Sequence, residues 1–220
     1  MKNKPIIIVA GEPKSVFIEI LLKSLKKIKI KNSIILICNK NLLIRQMRLV
    51  NIKINFREIR VEEIKKTIIS NKEIYLINVE LNQASKIMNK NIYIRQSFEI
   101  AFKLIKDNFS KKLINGPINK KKFLKKKYFG MTEYIANYFN IINYGMLIYN
   151  KQLSVSTVTT HLPLKMVYKK MIKNLIIEKI LLINDFYQKV LEIKPKIGVT
   201  GLNPHCESIS SFNEDEKIIS

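Results

Sequence analysis

The chain has 220 residues, 47% of them hydrophobic, which is enough to fill the core of one large domain or two small ones and excludes a disordered protein. Its 40 basic and 17 acidic residues give a formal net charge of +23, a value that often indicates a nucleic-acid partner. We predict no such partner, because only five of the basic residues are arginine, tryptophan is absent, and the excess of Lys, Ile and Asn is typical of an AT-rich genome.

The first half of the chain alternates apolar runs with amphipathic segments. The runs predict a buried strand that is apolar on both faces at residues 5–10 and a second buried strand at 33–38. A third strand is predicted at 73–79 and a short one at 111–116. Helical spacing predicts helices over about 17–25, 41–50 and 94–109. This alternation predicts an α/β fold, with a largely parallel sheet and flanking helices.

The second half continues the pattern less regularly. The stretch "GMTEY", residues 130–134, predicts the start of a helix, and 145–150 and 153–160 predict adjacent strands. A helix over 165–191 and a strand at 196–202 follow. The acidic start of 212–220 predicts a helix that the chain does not complete, so we expect the chain to be incomplete at its C-terminus.

Three loops offer contacts for an anion, each with a plainer alternative. The turn "GEP", residues 11–13, could cradle an anion but lacks the pattern GxGxxG, and most such turns only reverse the chain. The loop "NGPINK", residues 115–120, is equally consistent with a substrate loop and with a structural turn. Thr132, with the free N–H groups of its helix, would suit a phosphate, but most such threonines only cap.

The chain has two histidines, and each follows a predicted strand. His161 comes after the strand at 153–160, and His205 after the strand at 196–202. In open α/β sheets ligands bind beyond the carboxyl ends of strands, so the two imidazoles could converge there as ligands of a divalent metal. A catalytic site needs about three protein ligands, so a third would come from elsewhere. A single loop histidine is more often ordinary polar surface.

Cysteine usage and hydropathy indicate a cytoplasmic protein. Cys38 and Cys206 share no CxxC spacing, so neither a disulfide framework nor a zinc site is predicted, and Cys38 is expected in the core. No uncharged apolar window is long enough to span a membrane, and the N-terminal apolar run is too short for a signal peptide.

The order and spacing of "GEP", "GPINK", "GMTEY", "TTHLPL" and "GLNPH" resemble the 4-hydroxythreonine-4-phosphate dehydrogenases of vitamin B6 biosynthesis. The resemblance covers essentially the whole chain, and "TTHLPL" and "GLNPH" are its specific parts. It implies a fold like that of isocitrate and isopropylmalate dehydrogenases. Residues 1–220 would form about the first two-thirds of that fold, with a subdomain boundary near 115–130.

The resemblance also implies site residues. His161 and His205 match ligands of a divalent metal, which could be zinc, magnesium, manganese or cobalt. Thr132 matches a threonine that contacts the phosphorylated substrate, whereas Met131 stands where the family has a histidine. The family's third metal histidine and its later substrate contacts would lie in a portion that this chain does not contain. No residue is assigned as catalytic or as a contact for NAD.

The implied activity is an NAD-dependent and metal-dependent oxidation, with decarboxylation, of 4-phosphooxy-L-threonine. A homodimer would act on this small phosphorylated amino acid, without a nucleic-acid or membrane partner. The alternative is a catalytically inactive scaffold with a binding or regulatory role. Met131 and the loss of the family's glycines in residues 206–210 favour this alternative, and we expect the isolated chain to lack measurable dehydrogenase activity.

Overall fold

The computed structural model describes residues 4–64, 72–81, 88–125, 127–202 and 213–218. The chain divides into two compact units, an N-terminal unit of Met1–Lys125 and a C-terminal unit of Lys126–Ser220. The residues of the predicted metal and substrate site all belong to the C-terminal unit. His205 lies outside the described residues, so its predicted approach to His161 stays a prediction.

The N-terminal unit contains a parallel sheet of five strands in the order β3-β4-β2-β1-β5. The strands are β1 (Ile6–Val9), β2 (Ile34–Cys38), β3 (Arg57–Glu58), β4 (Ile74–Asn78) and β5 (Leu113–Asn115). β2 is buried along its whole length, as expected for a strand covered on both faces. The predicted α/β fold with a largely parallel sheet is confirmed.

Helices cover both faces of this sheet. They are α1 (Phe17–Lys27), α2 (Lys40–Leu49), α3 (Met88–Lys106) and α4 (Lys120–Phe123). α1 and α2 pack on one face, where Leu22 and Leu43 are fully buried against β2, and α3 packs against β1 and β2. No helix in the described part of the chain is long and apolar enough to cross a membrane.

Cys38 ends β2 and is fully buried, which confirms its predicted place in the core. Burial raises the pKa of its thiol to about 12. The next residue, Asn39, caps α2, because its side-chain oxygen accepts a hydrogen bond from the backbone N–H of Leu42 at 3.1 Å. Its amide nitrogen donates to the carbonyl of Val79 at 3.1 Å, which ties the cap to the end of β4.

The C-terminal unit is mainly helical and includes one hairpin. Its elements are α5 (Met131–Tyr138), β6 (Met146–Ile148), β7 (Val155–Thr157), α6 (Leu164–Lys170), α7 (Lys173–Phe186) and α8 (Glu214–Ile218). β6 and β7 pair antiparallel, and a π-helical turn at Tyr187–Leu191 extends α7. The helix predicted from residue 130 and the two predicted adjacent strands are confirmed.

Two sequence predictions for this unit are wrong. The single helix expected over 165–191 is interrupted at Met171, which is buried and has an extended backbone, with φ −81° and ψ 98°. Residues 196–202 form no strand. Ile197 and Val199 have the apolar alternation of a strand, but a strand also needs hydrogen bonds to a neighbour, and no described strand pairs with them.

Candidate functional site

Helix α5 presents the predicted substrate residues in its first turn. Gly130 is its N-cap residue and is buried, with an extended backbone of φ −155° and ψ −177°. Met131 and Thr132 come next and are half-buried. Because the first N–H groups of a helix have no partner within the helix, this turn presents backbone donors next to the Thr132 hydroxyl.

His161 lies in the loop between β7 and α6, and its backbone is unusual. Its φ is 58°, in the left-handed region that residues other than glycine adopt rarely. His161 follows a strand as predicted, but β7 belongs to an antiparallel hairpin. The expected setting at the carboxyl edge of a parallel sheet is therefore wrong. Backbone of this kind often marks a functional site, where the surrounding structure holds a residue against its own preference.

The imidazole of His161 approaches the start of α5 because residue 130 has no side chain. A Cβ on Gly130 would lie 3.3 Å from His161 Nε2 and 2.8 Å from Glu133 Oε2. Both contacts are closer than ordinary van der Waals packing. The stretch "GMTEY" and the stretch "TTHLPL" thus meet at this glycine.

Glu133 joins the same two stretches and was not predicted as a site residue. Its Oε1 accepts a hydrogen bond from the Thr160 hydroxyl at 3.3 Å, and Thr160 directly precedes His161. Its Oε2 is inaccessible to solvent and has no hydrogen-bond partner within the described part of the chain. In the sequence, Glu133 lies within the stretch "GMTEY" and in the first turn of α5, and helix dipoles explain most acidic residues at such positions.

A cavity of about 180 Å³ lies within the C-terminal unit. Its polar lining includes the side chains of Thr132, Thr157, Thr160 and Lys179. Lys179 Nζ donates to the carbonyl oxygen of Tyr144 at 2.5 Å and lies 5.7 Å from the centre of its ring. Hydroxyl donors beside an ammonium group suit a small anion such as a phosphate. Met131 is absent from the described residues that line this cavity.

The donor set at Gly130 fits a cation only in part. A buried carboxylate oxygen without a partner and an imidazole nitrogen lie close to the same point, and both are groups that bind divalent metals. Within the described residues, no group of three or more His, Cys, Asp or Glu side chains could hold a metal. The residues present therefore fit one part of a metal site.

The two loops of the N-terminal unit that were considered as anion sites pack against each other. Glu12 donates its backbone N–H to the Pro117 carbonyl at 2.8 Å, and Gly116 donates to the Val9 carbonyl at 2.7 Å. Gly11 has φ +75°, and a Cβ on it would lie 2.5 Å from the Pro117 oxygen. The amides of Glu12 and Gly116 are therefore already paired, which favours the structural alternative for both loops.

Comparison with known proteins extends the resemblance. A family model described as "Pyridoxal phosphate biosynthetic protein PdxA" matches residues 29–220. The chain is 34% identical, over 96% of its length and 67% of the relative's, to a 4-hydroxythreonine-4-phosphate dehydrogenase from Sulfurihydrogenibium sp. (strain YO3AOP1). It is 30% identical, over 97% of its length and 67% of the relative's, to the enzyme of that name from Aquifex aeolicus (strain VF5).

The solved structures show the same fold. A crystal structure of 4-hydroxythreonine-4-phosphate dehydrogenase from Klebsiella pneumoniae superimposes with a TM-score of 0.77 at 22% identity. The match covers 99% of this chain and 68% of that one. The chain therefore spans about two thirds of the length of the proteins it matches.

Proposed function

Because the chain belongs to the PdxA family of pyridoxal phosphate biosynthetic proteins, we propose that it acts on 4-phosphooxy-L-threonine in vitamin B6 biosynthesis. The proposed reaction is an NAD-dependent and divalent-metal-dependent oxidation, with decarboxylation, in the cytoplasm. One observation carries the proposal: the contact between Glu133 and Thr160 brings the start of α5 and the His161 loop together. The two stretches that the resemblance assigns to substrate and to metal are thus neighbours.

His161 would hold the metal, with His205 as a second ligand by resemblance to the family. Zinc, magnesium, manganese or cobalt, when bound, would polarise the substrate hydroxyl and so lower the cost of its proton loss as hydride leaves for NAD. The chain's own contribution is to fix the imidazole. Gly130 leaves room for the ring, and the left-handed backbone of His161 turns the loop at that residue.

Thr132 and Lys179 would bind the phosphate of the substrate. Both line the cavity of the C-terminal unit, and a hydroxyl and an ammonium group can each donate to phosphate oxygens. Met131 cannot donate a hydrogen bond, so a contact that the family makes with histidine is lost here. A charge-assisted hydrogen bond contributes about 1.5–3 kcal/mol, so we expect weaker substrate binding than with histidine at this position.

A second copy of the chain is the proposed partner. The C-terminal unit exposes large apolar side chains, including Ile142 at 95%, Leu153 at 75% and Leu164 at 87%. Exposed apolar surface of this kind is typical of an interface, and a partner subunit would also supply the further ligands that a metal site needs. Sedimentation equilibrium tests the homodimer, and a monomer at all concentrations would contradict it.

The test of the proposed function measures binding and turnover together. Titration of the chain with 4-phosphooxy-L-threonine in the presence of Mn²⁺ should show binding that His161→Ala abolishes. Thr132→Val should weaken binding, and Thr132→Ser, which keeps the hydroxyl, should restore it. NADH absorbance reports turnover. Absence of both substrate binding and turnover in the wild-type chain would refute the proposal.

Met131 favours a second candidate, a family member that binds the phosphorylated ligand without oxidising it. Its first-turn position in α5 lacks the polar group that the family places there. Metal-dependent substrate binding by the wild-type chain without NADH formation would support this candidate. NADH formation by the wild-type chain would exclude it.

A further inference from the structure

Residues 193–202, which follow the π-helical turn of the C-terminal unit, expose their apolar side chains. The exposed fractions are 54% for Ile193, 38% for Ile197, 44% for Val199 and 39% for Leu202. Up to residue 201 the segment contains no helix, turn or bend, so its backbone does not reverse direction. Side chains at alternate positions of such a backbone share a face, as they do in a strand. The segment therefore has the side-chain pattern of a strand with one apolar face open to solvent.

The backbone of this segment is open as well. No N–H or carbonyl group of residues 194–201 is hydrogen-bonded to another residue in the described part of the chain. Free N–H and carbonyl groups along a straight segment form a template on which a further strand can pair. Backbone hydrogen bonds then supply affinity, and the alternate side chains supply specificity.

The segment is held at both ends. At its start, the N–H of Ile193 donates to the carbonyl of Tyr187 at 3.1 Å. At its end, the N–H of Leu202 donates to Oδ1 of Asp215 at 2.6 Å, and Asp215 is buried. A segment that is already fixed loses little conformational freedom when a partner binds, which lowers the cost of association.

The length of the relatives indicates what would cover this face. The family model matches through these residues, so the segment belongs to the family's fold. The match covers 67% of the Sulfurihydrogenibium relative and 68% of the Klebsiella pneumoniae structure, so about a third of each lies outside it. The resemblance assigns this chain to the first two-thirds of the fold, so the remainder is the C-terminal third.

We propose that residues 193–202 are a docking strand for the C-terminal third of the family's fold. A strand of that third pairs with the free backbone and covers Ile197 and Val199. A second copy of the chain is the less suitable occupant, because the homodimer proposed above uses other exposed apolar residues of the C-terminal unit. The docking strand follows from family membership and does not depend on the proposed activity.

The experiment mixes the 220-residue chain with a polypeptide that comprises the C-terminal third of the Sulfurihydrogenibium relative. Calorimetry measures binding, and hydrogen exchange read by mass spectrometry identifies the amides that gain protection. We expect a complex in which the amides of residues 196–201 exchange at least about tenfold more slowly than in the chain alone. Failure to bind, or binding without protection of these amides, would overturn the proposal. Protection that appears in the chain alone as its concentration rises would assign the face to a second copy and would also overturn it.

Val199→Lys is the informative variant, because it places a charge on the face that the partner covers. Loss of a buried valine side chain should weaken binding by at least about tenfold. Val155→Lys is the matched control, since it makes the same substitution at a valine of β7 that is 52% exposed, and it should leave the affinity unchanged. Equal affinities of the two variants would contradict the assignment of the face.

A covalent version keeps the test decisive if the added polypeptide does not fold by itself. The same C-terminal third is then joined after Ser220, and hydrogen exchange of residues 196–201 is compared with that in the 220-residue chain. Slow exchange that Val199→Lys abolishes and Val155→Lys leaves unchanged supports the docking strand, and fast exchange in the joined chain overturns it. Neither substrate nor metal is added in either version, so the outcome is independent of the proposed activity.

Discussion

Gly130→Ala tests whether the space at residue 130 matters for the proposed metal site. The extended backbone of Gly130 is accessible to alanine, so the substitution causes no backbone strain. The new methyl group would lie 2.8 Å from Glu133 Oε2 and 3.3 Å from His161 Nε2. Carbon and oxygen atoms pack at roughly 3.4 Å or more, so the carboxylate must move by about half an ångström and the ring by less.

The expected effect on stability is small and the effect on metal binding is large. Overpacking costs about 1–3 kcal/mol, but both neighbours are ends of flexible side chains, so the low end applies. Replacing glycine also lowers the entropy of the unfolded chain, which offsets about 0.4–1 kcal/mol. A net loss below about 1 kcal/mol would lower Tm by no more than about 2–4 °C. Displacing the ring of His161, the proposed metal ligand, should reduce Co²⁺ affinity by about 10- to 100-fold.

The assay compares Co²⁺ titrations and thermal unfolding of wild type, Gly130→Ala and Gly198→Ala. Gly198 provides the matched control, because a Cβ on it would meet no atom within 4 Å. Gly198→Ala should leave both Tm and Co²⁺ affinity near the wild-type values. Wild-type Co²⁺ affinity in Gly130→Ala would refute the reasoning, and so would an equal loss of affinity in the control.

Three further substitutions test the core and the cavity. Asn39→Ala should lower the free energy of unfolding in urea by about 1–2 kcal/mol, because Asn39 is a buried cap. Asn119→Ala, which removes the exposed cap of the four-residue helix α4, should lower it by less, and equal losses would contradict the role of burial. Because burial raises the pKa of the Cys38 thiol from 9.0 to about 12, the unfolded chain loses this proton first as pH rises. The free energy of unfolding should therefore fall by about 1.4 kcal/mol per pH unit between pH 9.0 and the raised pKa. Urea unfolding at two alkaline pH values measures this slope, and Cys38→Ala should remove the contribution of the thiol to it. An unchanged slope in Cys38→Ala would contradict the raised pKa. Lys179→Met should weaken binding of the phosphorylated substrate by calorimetry while leaving Co²⁺ affinity unchanged, and undiminished binding would exclude this lysine as a phosphate contact.

The parts of the fold that could be predicted are those that local pattern determines. β1, β2 and β4 are apolar runs, and their burial on both faces follows from that composition. β3 could not be predicted, because its two residues, Arg57 and Glu58, are exposed and carry no apolar signal. The strand expected at 196–202 was wrong for a related reason, since pairing depends on a neighbour that the local sequence does not specify.

The residues of the candidate site could likewise be predicted only where a local motif marks them. Thr132 and His161 were predicted from motifs, and the structure places Thr132 in a cavity and His161 beside the start of α5. Glu133 was missed because its hydrogen bond reaches Thr160 in a distant part of the sequence. Local pattern explains an acid at that position adequately, and only the three-dimensional contact shows that one of its oxygens is buried.

Gly11 and Gly116 lie where the two loops that follow β1 and β5 touch, and they limit which substitutions these loops can accept by design or in evolution. A Cβ on Gly116 would lie 2.1 Å from the carbonyl oxygen of Ala10, and one on Gly11 would lie 2.5 Å from that of Pro117. Both obstacles are main chain, so no rotamer change elsewhere can relieve them. A saturation library at either position should therefore yield glycine almost alone among folded variants. New chemistry here would have to come from lengthening the loops, because side chains cannot be exchanged where the two backbones touch.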